Sequence, residues 1–347
     1  MRTPLVLIVS MIFLSCNSTK RGDQVEFKVN EAQNRIEVMI DGDLFTAYRY
    51  ENALEKPVLY PIYAPGGIEV TRGFPIAPRE LERVDHPHHL GLWLNFGDVN
   101  GFDFWNNSYA IPAERKKHYG RIDHSEIIRV ESQGEKGVLE VSTSWMAPDN
   151  EQVEKLLKEQ TKFVFASMDG VRTIDRITTL VAVADEVVFT DNKEGMLAIR
   201  VDRAFEHPSK SPVIFSDAAG NPTEVPVLNN EGVTGWYRNS NGIEGEEAWG
   251  KKAEWVKLSG TKEGQSCSMV LMDHPSNTGY PSCWHARGYG LFSVNNMGSK
   301  VFNEANPQFE LVLKKGESLT FRHRFVVSSR DLSDQEIKEI YSSFIED

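Results

Sequence analysis

The chain has few cysteines, no excess of basic residues and no apolar run long enough to cross a membrane. Only 3 of its 347 residues are cysteines, and the formal net charge is −12. Binding to nucleic-acid phosphates requires a basic face, so this charge argues against that class of partner. A membrane-spanning helix needs ~20 apolar residues. Internal repeats and low-complexity tracts are also missing, and one domain is predicted over residues 25–347.

The first 16 residues have the pattern of a bacterial lipoprotein signal peptide. Arg2 supplies the positive charge, residues 5–14 are apolar, and Leu14-Ser15-Cys16 resembles a lipobox. Cleavage would leave Cys16 as the lipidated residue, followed by a polar tether over residues 17–24. The sequence thus predicts a protein of the bacterial cell envelope, periplasmic or facing the outer membrane, that meets the membrane only through its lipid. Ordinary secretion with cleavage nearby is the alternative.

The other two cysteines are Cys267 and Cys283. They could pair in an oxidising compartment. Because cysteine is among the residues most often buried, free and partly buried thiols are the prediction.

Most of the remaining chain consists of short segments in which apolar and polar residues alternate. Asp41-Gly42-Asp43 separates two of them, as in a β-hairpin. Many short strands punctuated by Gly, Asp and Asn predict an all-β sandwich or barrel. The predicted strands are 25–29, 35–40, 44–50, 127–131, 138–145, 161–166, 171–181, 186–190, 196–203, 267–272, 289–294, 309–313 and 319–327.

Three other segments need separate interpretation. Residues 153–160 have helical composition, but a hairpin partner follows Met168-Asp169-Gly170, and a strand is therefore predicted. Residues 216–250 are rich in Gly and Asn and are predicted to form a long functional loop. Near the C-terminus, Ser333 and Glu336 form a capping box that predicts one short helix packed on the sandwich.

Histidines are concentrated in two distant places. His86, His88 and His89 lie within five residues that start at Asp85, and His274 and His285 follow far downstream. Neutral imidazole is both a common metal ligand and a common acid or base near neutral pH. The two segments therefore predict one composite site, in a loop or edge strand, because Pro87 disfavours a central strand.

Three interpretations of the histidines stay open. A divalent metal would be held by Asp85, His86 and His88 with a distant histidine, although the spacing matches no strong metal motif. Alternatively, His88, His89, His274 and His285 act in acid–base chemistry or bind the substrate, with no cofactor required. In the third interpretation the histidines only pack among aromatic residues.

Further candidates combine charge and aromaticity. Arg287 offers a planar fork for a carboxylate or vicinal hydroxyls. Arg200 lies in an apolar strand and needs a buried partner or a ligand. Glu194 follows a strand in a turn and is a candidate catalytic carboxylate. The other predicted substrate-binding residues are Arg72, Trp249, Lys251 and Trp284, whereas His118, His124 and His323 are predicted to lie at the surface and His207 is a weaker candidate.

The run from Asp85 to Trp93, followed by residues 97–105, resembles the PmoA-like family, catalogued as methane oxygenase PmoA. Residues 192–195 with Arg200, residues 248–255 and residues 273–292 also fit that family. Leu90 departs from it, because the family usually has Arg there. The resemblance does not predict methane oxidation, since the methane monooxygenase subunits are helical membrane proteins and this chain is predicted to be β.

The same His-His pair with Gly101-Phe102-Asp103, together with the closing strands, is similar to galactose-mutarotase-like proteins. The resemblance implies a large twisted antiparallel β-sandwich with a short C-terminal helix that binds sugar on one sheet. It implies that His88 or His89 protonates a sugar oxygen and that Glu194 or another histidine acts as base. The predicted function is hydrolysis, elimination or epimerisation of a glycoside or an oxidised sugar. Non-catalytic sugar binding and metal-dependent catalysis are the alternatives.

Overall fold

The computed structural model describes residues 23–149 and 152–346. The predicted signal peptide, the lipidation residue Cys16 and nearly all of the tether lie outside the described residues. Two eight-stranded antiparallel sheets and one two-stranded sheet account for the described strands, which are numbered here in chain order. The prediction of an all-β sandwich is confirmed.

The first sheet has the strand order β1-β2-β3-β4-β5-β11-β16-β15. The hairpin between β2 and β3 turns at Asp41 and Gly42, whose φ angles are 52° and 85°, as a two-residue hairpin turn requires. The strands are β1 (Val25–Asn30), β2 (Arg35–Ile40), β3 (Asp43–Arg49), β4 (Val58–Ile62), β5 (Leu92–Leu94), β11 (Leu197–Arg200), β15 (Cys283–Trp284) and β16 (Leu291–Asn295).

The second sheet has the order β12-β13-β14-β18-β9-β8-β7-β6, and β10 pairs with β17. Residues 153–160 belong to β8 and pair with β7 and β9, so the strand predicted there is confirmed. The strands are β6 (Arg121–Gln133), β7 (Lys136–Asp149), β8 (Gln152–Met168), β9 (Val171–Ala182), β10 (Glu186–Thr190), β12 (Trp236–Asn239), β13 (Trp255–Lys262), β14 (Gln265–Asp273), β17 (Glu310–Lys314) and β18 (Ser318–Ser328).

The two sheets pack face to face over one apolar core. Leu197 and Ile199 of β11 point into this core, because alternate residues of a strand face opposite sides. Ala198 points the other way and packs with Trp93 and Leu291 in a second apolar cluster. The outer face of the first sheet therefore has its own buried layer, and Arg200 shares that face with Ala198.

The α-helix α1 (Asp334–Glu346) packs on the outer face of the second sheet. Its predicted capping box is present: the Ser333 amide donates to Glu336 Oε2 (2.8 Å), and the Glu336 amide donates to Ser333 Oγ (3.3 Å). Ile337, Tyr341 and Phe344 are buried against the sheet. Among the described residues, no helix is long and apolar enough to span a membrane.

Three other sequence predictions have mixed outcomes. Cys267 and Cys283 are free and buried, as predicted. The predicted strand 196–203 is shorter, because the chain leaves the sheet after Arg200 and forms a 3₁₀ turn at Arg203–Phe205. The predicted loop 216–250 contains β12 and a 3₁₀ turn at Gly245–Ala248.

Candidate functional site

Three hydrogen-bonded neighbours in the first sheet, β5, β11 and β16, bring the predicted site segments together. A loop over residues 83–91, called here the histidine loop, leads into β5. Glu194 precedes β11 and Arg200 ends it. His285 follows β15, and the turn that contains Arg287 leads into β16. Segments that are far apart in the chain therefore meet on one face.

Arg72 fixes the histidine loop. Its Nη1 donates to the carbonyls of Arg83 (3.2 Å) and Asp85 (2.8 Å). Its Nη2 donates to the carbonyls of His86 (2.9 Å) and His89 (3.1 Å). Because the arginine is buried and occupied by these bonds, the predicted substrate contact of Arg72 is wrong. Arg72 instead holds the backbone that presents the histidines.

Asp85 lies between two buried arginines. Its Oδ1 is 2.7 Å from Arg200 Nη2 and 2.9 Å from Arg72 Nη1. Burial raises the pKa of Asp85, but Arg200, the contact with His86 and Arg72 together outweigh burial and hold that pKa well below its usual range. Arg200 thus has the buried partner that its place in an apolar strand predicted. It makes no direct substrate contact in this arrangement, because its side chain is fully buried.

The ring of His89 is held by the same arginine. Arg200 Nη1 is 3.2 Å from His89 Nδ1. Since a guanidinium only donates, His89 Nδ1 accepts and the proton of the neutral ring is on Nε2. The ring stacks between His86 (4.8 Å between centroids) and Trp93 (5.3 Å). Burial, followed by the neighbouring His88 and Arg200, keeps the pKa of His89 well below its ordinary value.

Tyr289 extends this stack toward the surface. Its ring lies 4.9 Å from His86 at an interplanar angle of 12°, and the Arg200 guanidinium lies 4.8 Å from its centroid. Sequence reasoning did not single out Tyr289, although the flanking Gly288 and Gly290 beside Arg287 marked a rigid turn. The aromatic face of the site is therefore made by a tyrosine that the sequence prediction omitted.

His88 rests on a buried lysine that sequence reasoning also missed. Lys56 Nζ donates to the His88 carbonyl (2.8 Å). Burial lowers the pKa of Lys56 to about 7. Burial, and then the charge of Lys56, lowers the pKa of His88 to about 2. His88 is therefore a neutral ring. No sequence signal marked Lys56, because a lysine beside Glu55 and Pro57 is usually solvated.

Glu194 and His285 form an acid–base pair on this face. Glu194 Oε2 is 3.6 Å from His285 Nδ1, and neither ring nitrogen has a hydrogen-bond partner within the described residues. Burial, then Arg287 and Lys193, lowers the pKa of His285 to about 3. Burial raises the pKa of Glu194, although Lys193, 3.1 Å away, opposes the rise. Both groups are thus shifted toward their neutral forms.

Arg287 and Trp249 line a cleft beside this pair. The Arg287 guanidinium lies 5.5 Å from the Trp249 ring centroid. The volume is about 360 Å³, within the roughly 300–1,000 Å³ of small-molecule sites. Lys251 is exposed nearby and is not among the lining residues. We call this space the Arg287 cleft; it is lined by residues that include Arg83, His207, Lys210, Glu246, Trp249, Arg287 and Tyr289.

Glu206 connects the histidine loop to this cleft. Its Oε2 accepts from Arg83 Nε (2.6 Å), and its Oε1 is 3.8 Å from Arg200 Nη2. Burial raises the pKa of Glu206 to about 7, against the opposing charges of Arg200 and Arg83. The sequence signal for it was the need of Arg200 for a buried partner, which did not identify the partner. The neighbouring His207 accepts the Tyr237 amide proton at Nε2 (3.2 Å).

Two predicted site residues lie elsewhere. Trp284 is fully buried in the core between the sheets and donates its indole N–H to the Ala253 carbonyl (3.0 Å). It therefore has no face free to stack on a sugar. His274 bonds Ser276 and packs its ring against Phe344 of α1 (5.2 Å). Both site predictions are wrong because their segments turn toward other layers of the fold.

His323 corrects a further prediction. It was expected at the surface among charged residues, but it is fully buried in β18. Its Nε2 is 2.9 Å from Asn296 Oδ1, and Asn296 in turn donates to Asp273 (2.9 Å). Asp273 also accepts from Asn277 (2.8 Å). These bonds fix the loop between β14 and β15, so Asp273 and His323 position the segment that leads to His285.

The predicted metal cluster does not assemble. In residues 23–149 and 152–346, no group of three or more His, Cys, Asp or Glu side chains is placed to hold a metal ion. Asp85 Oδ1 is engaged by two arginines, and Asp85 Oδ2 lies 3.3 Å from His86 Nδ1. The prediction that Asp85, His86 and His88 converge on a metal ion is therefore wrong, because their side chains are not placed to share one.

Comparison with models of protein families assigns the chain to one family. A model described as "Family of unknown function (DUF6807)" matches residues 35–342. The chain belongs to the DUF6807 family. The match includes the histidine loop and the Arg287 cleft of this DUF6807 protein, and its description does not mention PmoA, so the PmoA-like label is unsupported. No curated protein matches the chain.

Solved structures that resemble this DUF6807 chain include carbohydrate-related proteins. A GH36 α-galactosidase, AgaB of Geobacillus stearothermophilus, is 10% identical over 92% of this chain and 43% of its own, with a TM-score of 0.47. This chain thus spans less than half of that galactosidase. A galactose mutarotase-like protein of Clostridium acetobutylicum is 11% identical over 89% and 100%, with a TM-score of 0.37. At TM-scores below 0.5, these similarities assign neither a substrate nor a reaction.

Proposed function

We propose that this chain binds a carbohydrate over the outer face of the first sheet and transfers a proton to or from it. The observation that carries the proposal is the pair formed by buried His285 and half-buried Glu194, 3.6 Å apart. Groups whose pKa values are shifted by burial and by specific charges are concentrated at functional sites. Here both members of the pair are shifted, and they lie beside a cleft of ligand size.

Glu194 is the proton acceptor in this proposal. Its raised pKa makes it a stronger base than an ordinary carboxylate. The proton leaves a C–H or O–H bond of the sugar, the electron pair stays on the substrate, and the proton is held on a Glu194 oxygen. Glu194 returns it to the product in the second half of the reaction.

The histidines supply hydrogen bonds from neutral rings. The pKa of His285 is about 3 and that of His88 is about 2, so imidazolium is scarce at neutral pH. This differs from the expectation that His88 or His89 donates a full proton. A neutral N–H in a water-poor site still stabilises a developing oxyanion, and the proposal assigns this role to His285.

The aromatic residues favour a ring with one apolar face. Trp249 and Tyr289 both line the Arg287 cleft. An aromatic ring packs on apolar C–H groups, while the polar groups around it pair with hydroxyls. A sugar ring offers both kinds of surface, which supports carbohydrate as the substrate class.

The test uses Glu194→Gln, which keeps the side-chain size and removes the base. A panel of neutral and oxidised glycosides is incubated with the full chain in D₂O and followed by ¹H NMR for anomer exchange, deuterium uptake and new products. Loss of a positioned base should lower the rate by about 10²–10⁴-fold, with ligand binding retained. Glu244→Gln, at an exposed carboxylate paired with Arg238, is the matched control. Unchanged turnover in Glu194→Gln would overturn the assignment.

Non-catalytic sugar binding is the second candidate, and the low pKa values of His88 and His285 favour it. Rings that stay neutral bind hydroxyls without accepting protons. In this case sugars would bind, no exchange or product would be detected, and Glu194→Gln would change the affinity only modestly.

We also propose that the chain is anchored by lipid at Cys16, which rests on the Leu14-Ser15-Cys16 motif. In a bacterial host, Cys16→Ala should move the protein from the membrane fraction to the soluble fraction. Cys283→Ala serves as the matched control and should leave the distribution unchanged. Membrane association of Cys16→Ala at the wild-type level would overturn this proposal.

A further inference from the structure

Arg287 differs from the other arginines of the site. Arg72 and Arg200 pair with Asp85, and Arg83 pairs with Glu206. Within the described residues, no ion pair joins Arg287 to a carboxylate, and its side chain bonds the neutral Tyr289 instead. A guanidinium held in a site without a counter-charge is a candidate for recognising an anion on the ligand.

Trp249 adds a second donor without an acceptor. Its indole N–H is buried and has no hydrogen-bond partner within the part of the chain that the structure describes. Its ring packs under the Arg287 guanidinium at 5.5 Å, and both residues line the same cleft. Buried donors normally find acceptors, so an unmatched indole N–H beside an arginine without a carboxylate indicates an acceptor that the ligand supplies.

The neighbouring charges also favour an anion. Lys193 and Arg287 both act on His285, whose ring is 2% exposed and also lacks hydrogen-bond partners among the described residues. Glu246 is a carboxylate that lines the cleft, but it is paired with Lys210 (3.0 Å). Because Lys193 is paired with Glu194 (3.1 Å) and Arg83 with Glu206, Arg287 is the cation of the described cleft that is left without a carboxylate.

We propose that the ligand is a sugar acid, and that its carboxylate is bound by Arg287 and by the indole N–H of Trp249. This inference rests on the proposed function, because the sugar ring is assigned by that proposal. A carboxylate is favoured over a phosphate because one planar fork and one N–H match a flat, singly charged group. The ring would extend from this anchor toward Glu194 and His285.

The experiment is calorimetric titration of the full chain with four probes. They are methyl α-D-galacturonide, its neutral counterpart methyl α-D-galactoside, glucose 6-phosphate and acetate. The galacturonide should bind at least about tenfold more tightly than the galactoside, as a charge-assisted pair predicts. Arg287→Gln should remove this preference, so that the galacturonide and the galactoside bind with affinities within about twofold of each other.

Two further variants distinguish the loss of a specific contact from the loss of folding. Trp249→Phe keeps an aromatic ring and removes the N–H, so it should weaken galacturonide binding more than galactoside binding. Arg322→Gln makes the same change as Arg287→Gln on β18 of the second sheet and should have no effect. Thermal melting of each variant establishes that it is folded.

The outcomes separate this inference from the proposed function. Equal binding of the two glycosides, or a preference that survives in Arg287→Gln, overturns the sugar-acid assignment and leaves sugar binding intact. If glucose 6-phosphate binds most tightly of the four probes, the proposal that the bound anion is a carboxylate is overturned. Acetate that binds as tightly as the galacturonide, or no binding of either glycoside, overturns both proposals.

Discussion

Replacing Asp85 by asparagine should destabilise the protein while leaving its strands intact. The change keeps the size of the side chain and removes the charge that lies 2.7 Å from Arg200 and 2.9 Å from Arg72. Those arginines are 0% and 1% exposed, so their charges would stay in a poorly solvated environment. The histidine loop would lose its ion pair with Arg200 of β11 and keep the contact between His89 and Arg200.

The magnitude follows from the geometry of the pair. Removing one partner of a buried ion pair costs about 3–5 kcal/mol. The Asp85 side chain is 34% exposed, and Glu206 lies 3.8 Å from Arg200, so screening and a second carboxylate lower the expected loss to about 2–3 kcal/mol. Urea unfolding followed by tryptophan fluorescence measures this loss, provided that the m value is unchanged.

The pH dependence gives a second check. The folded pKa of Asp85 lies well below its unfolded value, so its contribution is fully present above about pH 4 and is lost as the pH falls through the folded pKa. The difference between wild type and Asp85→Asn should therefore shrink in acid, as the pH falls through the folded pKa of Asp85. Asp185→Asn is the control, because the Asp185 side chain is 96% exposed. A loss below about 1 kcal/mol, or no shrinkage in acid, would refute the reasoning.

Three other outcomes are expected. Glu159→Gln leaves Arg176 without its buried partner (2.7 Å) and should reduce the free energy of unfolding by about 3 kcal/mol, measured in urea. A reduction as small as that caused by breaking an exposed ion pair would contradict this. Ser333→Ala removes the N-cap of α1 and should cost ~1 kcal/mol by thermal melting; an unchanged melting temperature would contradict it. The ¹³C imidazole shifts of His88 and His285 should stay those of neutral rings down to about pH 5, because their folded pKa values are about 2 and about 3. Since the unfolded rings take up protons near pH 6.5, acid should lower stability; titration of either folded ring near pH 6.5 would contradict this.

Much of the fold was predictable because its signals are local. Alternation along a strand, the turn at Asp41 and Gly42 and the capping box of Ser333 and Glu336 depend only on neighbouring residues. Even residues 153–160, whose composition is helical, were predicted as strand from the hairpin that follows them. The lengths were less accurate, as β11 shows by ending at Arg200.

The site was only partly predictable because side-chain direction depends on distant strands. Glu194, His285, Arg287 and the histidine loop do meet, as the shared composite site required. Trp284 was misplaced because its aromatic signal is the same in a core and in a binding face, and it points into the core.

The sequence by itself determined the strand pattern, the capped helix and the need of Arg200 for a buried partner. Only the tertiary structure decided that this partner is Asp85, 115 residues away, and that Arg72 holds the loop in place. The physical reason is that strand alternation is set by adjacent residues, whereas partners are chosen by the order β5-β11-β16 in the sheet. The tertiary structure also placed Arg287 over the ring of Trp249, whose indole N–H has no acceptor among the described residues.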